Sequence, residues 1–194
     1  MLRSSFARVV GLAAVTLILG YSSVNALLGP ATPPPAPAEP AAPAAGAAAP
    51  AVEIDEARVL AGLELYKEGG CRGCHGWAAD GTREGPNPGG PSLRASLLPL
   101  EFIEQTISCG RPGTAMPYFW RDGYRRDSTE CYGQTAAQLG DRVPQRGGER
   151  FTAEEIDDLA YFIEYYVKGR TDITLEECEF YFGAGNAQCN FYRR

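Results

Sequence analysis

Histidine and methionine are nearly missing from this chain of 194 residues: His75 is its one imidazole, and Met116 is its one thioether besides the initiator. Two-imidazole sites are thereby excluded within a single chain. Basic residues are also outnumbered, 18 Lys and Arg against 24 Asp and Glu for a formal charge of −6. That balance argues against nucleic acid and against anionic lipid surfaces, and it favours a protein partner with a basic docking patch, because complementary fields speed encounter. No internal repeat and no convincing strand-type alternation is visible, so the expectation is an all-α domain.

What is present begins with Arg3 and Arg8 and an apolar run from Val9 to Gly20. The polar stretch Tyr21 to Asn25 follows, with Val24 and Ala26 as small residues at a cleavage position. This is the layout of a secretory signal over residues 1–26. The rival reading is an uncleaved membrane anchor over residues 9–28, about the length that a spanning helix needs. Both readings place the rest of the chain in the periplasm. Loss of residues 1–26 would remove two arginines and no acid, leaving 16 basic against 24 acidic residues, or −8. Residues 27–52 are almost entirely Ala and Pro and read as an extended linker, with a reach on the order of 70 Å if the anchor is retained.

The folded part is expected over 53–168, followed by an extension over 169–194. A first helix is predicted from about Asp55 to Lys67, with Val59, Leu60, Leu63 and Tyr66 on one face, and Gly69 and Gly70 end it. A short helix is predicted from Leu100 to Ser108, and residues 109–150 read as mostly irregular. Thr152 with Glu155 forms a capping box that opens a helix running to about Val167, and Thr174 with Glu177 opens another running to Phe182.

The chemistry lies in Cys71-Arg72-Gly73-Cys74-His75. CxxCH is the pattern of covalent haem attachment, in which each thiol adds to one vinyl group and the histidine ligates iron. A structural zinc site takes four protein ligands and would find too few here. A redox-active CxxC pair would require a βαβ context, which the sequence does not suggest. The expected cofactor is therefore one haem c, covalent through Cys71 and Cys74. With a single histidine, Met116 is the sixth ligand by elimination, and a thioether there raises the potential. Cys109, Cys131, Cys178 and Cys189 remain as disulfide candidates with three possible pairings; sequence proximity favours Cys109 with Cys131 and Cys178 with Cys189. The first pairing would hold the Met116 loop against displacement.

These residues resemble the class I c-type cytochromes over about 53–168. The likeness rests on a helix running into CRGCH, on Gly90-Pro91-Ser92-Leu93, on Met116-Pro117 and on the acidic last helix. The resemblance implies a cytochrome c fold wrapped around the haem. It further implies that Pro91 lends its carbonyl to the Nδ1 proton of His75, and that Leu93 packs on the macrocycle. Gly62 and Tyr66 resemble the family's close-approach glycine and aromatic, facing Phe162, although they stand one residue further from the haem motif. Tyr118, Phe119 and Trp120 are expected to wall the haem pocket. The aromatic residues of 169–194 would cover a satellite core or form a docking surface.

Together these readings describe an electron carrier and not an enzyme. The acidic balance and extra cysteine pairs resemble periplasmic cytochromes that accept electrons from quinoprotein alcohol dehydrogenases and pass them to a downstream cytochrome or terminal oxidase. The alternatives are a membrane-tethered shuttle and a fixed cytochrome subunit of a respiratory complex.

Overall fold

The computed structural model describes residues 53–125 and 128–193, which belong to one compact unit. The signal, anchor and linker readings over 1–52 lie outside the described residues. Among the described residues no helix is long and apolar enough to cross a membrane.

Helix α1 spans Glu56–Glu68. Asp55 caps it, its carboxylate accepting from the backbone N–H of Ala57 at 3.0 Å and of Arg58 at 3.3 Å, while the Tyr161 hydroxyl accepts from the Asp55 N–H. Val59, Leu63 and Tyr66 are buried, but Leu60 is 52 % exposed and does not share their face. Helix α2 is the single turn Arg72–His75, and α3 is Leu100–Cys109. Strand β1, Tyr118–Trp120, precedes the short helix α4, Ala136–Leu139, and strand β2, Arg146–Phe151. Helix α5, Ala153–Tyr161, continues as a π-helical stretch over Phe162–Val167, closed by Lys168 N–H donating to the Ile163 carbonyl at 2.9 Å. Helix α6 is Leu175–Phe182, followed by a 3₁₀ segment over Ala187–Tyr192.

The all-α expectation is corrected here. Strands β1 and β2 pair in parallel, with Tyr118 opposite Arg146 and Trp120 opposite Phe151 and an irregular register between. The architecture is thus mixed, helices plus a two-stranded parallel sheet. Neither strand announces itself. Three residues are too few to show alternation, and the Arg146–Phe151 segment carries Gly147 and Gly148, which weaken a strand reading. Close contact supplies the missing propensity: a Cβ on Gly147 would lie 2.6 Å from the Phe119 ring, so only glycine lets the ring seat there.

Helix α1 crosses α5 at Gly62, where an added Cβ would lie 2.4 Å from both the Asp158 carbonyl oxygen and Phe162 Cβ. Tyr66 meets Phe162 edge-on at 5.9 Å just beyond. Arg58 straps the same crossing, ion-paired with Asp157 and Asp158 at 2.7 and 2.8 Å, its guanidinium over the Tyr161 ring. Helices α1, α3 and α5 therefore enclose one core, which includes Ile103, Ile107, Leu159 and Ile163.

Both predicted capping boxes are formed, at Thr152 with Glu155 and at Thr174 with Glu177. Disulfides join Cys109 to Cys131 and Cys178 to Cys189. The second staples α6 to the 3₁₀ segment, with both cysteines wholly buried. The extension is not a separate satellite. Tyr181 belongs to the main core, and Trp77 packs against Tyr181, Phe182 and Tyr192 at 5.2 to 5.9 Å between ring centres.

Candidate haem site

Gly69 ends α1, and Gly70, at φ +67°, turns the chain into the CxxCH segment; glycine is the residue that adopts this conformation without strain. Cys71 N–H donates back to the Tyr66 carbonyl at 3.2 Å, and Tyr66 Oη donates to the Gly76 carbonyl at 2.7 Å. The segment is thus bracketed at both ends by Tyr66. Downstream, Gly81 N–H donates to the His75 carbonyl and Gly90 N–H to the Cys74 carbonyl, each at 2.8 Å. Arg72 pairs with Glu84, whose other carboxylate oxygen accepts from Trp77 N–H at 3.1 Å.

His75 is 7 % exposed, and its Nδ1 lies 2.8 Å from the Pro91 carbonyl oxygen. A carbonyl only accepts, so the proton sits on Nδ1 and the Nε2 lone pair is left for another partner. Burial pushes the imidazole below its ordinary pKa, and the bond to Pro91 offsets this in part. Gly90 permits the arrangement, because a Cβ there would lie 2.8 Å from both Cε1 and Nδ1 of the ring.

Cys71 and Cys74 are free thiols, each partly open. Burial pushes the Cys71 thiol up to about 12, opposite to the depressed value of an activated thiol. Among the described residues no group of three or more His, Cys, Asp or Glu side chains converges to hold a metal ion.

Cys71, Cys74, His75, Pro91, Leu93 and Met116 all line one cavity of about 450 Å³. The rest of its wall is largely apolar, with Ile103 and Ile107 one turn apart on α3, Leu159 and Ile163 one turn apart on α5 and its π-helical continuation, and Phe119 from β1. Of the three aromatic residues after the thioether, only Phe119 is on this wall. Tyr118 stacks edge-on with Tyr124 at 5.1 Å, and Trp120 lines a separate cleft beside α3. Strand geometry accounts for this correction, since successive side chains of β1 leave on opposite faces.

Met116 is half-buried on a loop closed by Arg111 N–H donating to its carbonyl at 3.2 Å and by Thr114 Oγ1 accepting from its N–H at 3.2 Å. Gly110, at φ +61°, starts the loop. Two tyrosines not singled out from the sequence clamp that start: Tyr124 Oη donates to the Cys109 carbonyl at 2.8 Å, and Tyr132 Oη donates to the Gly110 carbonyl. The Cys109–Cys131 bridge holds the same corner. Nothing local marks Tyr124 and Tyr132, because their partners are backbone carbonyls. The helical spacing of Ile103 with Ile107 and of Leu159 with Ile163 was, by contrast, a readable signal for lining residues.

A covalent haem needs two thiols beside a histidine, a fixed imidazole with its second nitrogen available, and an apolar chamber that excludes water from the ring. The residues around this cavity supply the two thiols, an imidazole fixed through Nδ1, a largely apolar wall and a thioether. No family model matches the chain, and no curated protein or solved structure matches it significantly.

Proposed function

We propose that this chain is a mono-haem c-type cytochrome, exported to the periplasm, and that it works as a one-electron carrier. The observation that carries the reading is His75: its Nδ1 is held by the Pro91 carbonyl at 2.8 Å, on the wall of an apolar cavity that both CxxCH thiols and Met116 also line. A haem in that cavity would supply the redox chemistry, its iron alternating between ferrous and ferric. Cys71 and Cys74 would tether the ring, His75 and Met116 would ligate the metal, and Leu93 would pack against the macrocycle. The Pro91 carbonyl keeps the imidazole in one tautomer and one orientation, which limits reorganisation when the charge changes.

The donor proposed is a periplasmic dehydrogenase, of which quinoprotein alcohol dehydrogenases are the leading class, and the acceptor is a downstream cytochrome or terminal oxidase. The acidic excess of the chain would steer it to partners with basic docking faces.

The test is expression of the full chain in a host with haem-attachment machinery. A haem that resists acid extraction, one per chain, is expected, together with the weak sulfur-to-iron band at the red end of the ferric spectrum. Met116→Ala should abolish that band and lower the reduction potential. Absence of covalent haem, or survival of both properties in the variant, would overturn the proposal.

A further inference from the structure

Arg94 is a charge buried where the mechanism has no use for one, since its side chain is only 7 % exposed and its partner Glu177 only 6 %. Such a pair is costly to bury unless its polar atoms find partners, and here each guanidinium nitrogen has at least one. Arg94 Nε donates to the Arg170 carbonyl at 3.1 Å and Nη1 to the Ala78 carbonyl at 3.2 Å, with Nη1 also ion-paired to Glu177 Oε1 at 3.2 Å. Nη2 donates to the Asp172 carbonyl and to Glu177 Oε2. The backbone joins in, with Gly169 N–H donating to the Arg94 carbonyl at 2.9 Å.

The segment held in this way is the one that orients His75. Pro91, three residues before Arg94, carries the carbonyl that accepts from Nδ1. Between them, Leu93 and Arg94 N–H both donate to the Ala79 carbonyl, at 2.8 and 3.3 Å, so residues 91–94 form a short strut fixed to the CxxCH loop. Besides Nη1 on the Ala78 carbonyl, the Arg94 side chain is held by the C-terminal extension, through the carbonyls of Arg170 and Asp172 and the carboxylate of Glu177. Glu177 is itself set by its capping box with Thr174 and by the Cys178–Cys189 staple on the next residue.

We infer that the C-terminal extension is part of the haem-ligand machinery, with Glu177 and Arg94 as positioning residues that hold the Pro91 carbonyl against His75. The inference rests on the haem reading for its functional meaning, but its geometry is testable independently. Because His75 is the one histidine of the chain, labelling histidine with ¹⁵N gives a single side-chain Nδ1–H signal, whose solvent exchange reports the bond to Pro91.

The experiment compares the full chain with Glu177→Gln, which keeps the capping box but removes the charge, and with Phe180→Ala, which removes the extension's ring packing on Tyr166 but leaves the pair intact. The expected result is Nδ1–H exchange at least tenfold faster in Glu177→Gln and little changed in Phe180→Ala. If Glu177→Gln fails to fold, the double variant Arg94→Met with Glu177→Leu replaces the pair by apolar groups, and the same acceleration is expected. Unchanged exchange in the folded variant, or equal acceleration in Phe180→Ala, would overturn the inference. A wild-type chain without attached haem but with the slow Nδ1–H signal would instead defeat the haem proposal and leave the positioning role standing.

Discussion

Two parts of the cavity wall are built in opposite ways. The His75 part is made mainly from residues close in sequence, 66 to 94, joined by hydrogen bonds at 2.7 to 3.3 Å around a buried ring, with Arg94 as its tie to the extension. The Met116 part is a half-buried loop whose neighbours Arg111, Gly113, Thr114 and Ala115 are exposed; beyond its two internal bonds, its restraints come from residues further along the chain: Cys131, Tyr132 and the parallel pairing with Arg146–Phe151. Local networks close at little entropic cost, whereas a loop restrained from afar opens when any one distant clamp is released. The thioether side should therefore be the side that yields first.

The largest test of that difference is removal of the Cys109–Cys131 bridge, which spans 22 residues. Replacing both cysteines with serine should cost about 3 kcal/mol by the loop-entropy relation, read as a lower urea midpoint. The red-end band that depends on Met116 should weaken while the slow Nδ1–H signal of His75 persists. Loss of both together would show that the two parts are not independent.

The converse test strikes the His75 part. Gly90→Ala places a methyl group 2.8 Å from the imidazole, and overpacking of this kind costs roughly 1–3 kcal/mol. Here the Nδ1–H signal should exchange faster, and the reduction potential should shift because the imidazole loses its orienting bond. Met116-dependent absorbance should survive in the folded fraction. A smaller effect is expected from Tyr132→Phe, which deletes the bond to the Gly110 carbonyl. About 1 kcal/mol is the scale for one such bond. An added soluble ligand such as imidazole should displace Met116 more readily in this variant, and a titration of the ferric spectrum measures that directly.

The same contrast explains what could be read from the sequence. Features marked by residue type and spacing were legible: the CxxCH turn, the capping boxes at Thr152 and Thr174, and the two disulfides, each between cysteines adjacent in the cysteine order. Features made from distant pairs were not. The parallel pairing of β1 with β2 joins segments with no strand signature of their own, and Arg94 with Glu177 are unremarkable charges until the fold brings them together. Leu60 shows that apolar identity does not fix core position; it lies one residue past Val59, about 100° around the helix, and the stripe that packs on α5 excludes it. A cysteine pair internal to the extension suggests a satellite unit, yet the aromatic residues of the extension close over Trp77 and its backbone carbonyls bind Arg94.

A last prediction concerns the helix that both parts share. Helix α5 with its continuation supplies Leu159 and Ile163 to the cavity, and its first turn is held by Glu155, whose carboxylate accepts from Thr152 N–H and from the Thr152 hydroxyl at 2.9 Å. Those hydrogen bonds, the backbone one first, hold the Glu155 carboxyl below its ordinary pKa. A depressed folded-state pKa means that the unfolded chain binds the proton more readily. The capping box therefore stabilises the fold above the ordinary glutamate range, and that stabilisation is lost as pH falls through the folded-state value. Loss of a whole cap costs about 1 kcal/mol, and solvent screening of this half-exposed carboxylate makes the pH-dependent share smaller. Comparing the wild-type chain with Glu155→Gln across an acid titration of the urea midpoint isolates it: the gap between the two should close toward low pH. Because α5 serves both parts of the wall, acidification through this group should loosen the Met116 and His75 signals in parallel. A gap that widens toward low pH, or a Met116 signal that fails alone, would mean that the shared helix is not what the acid acts on.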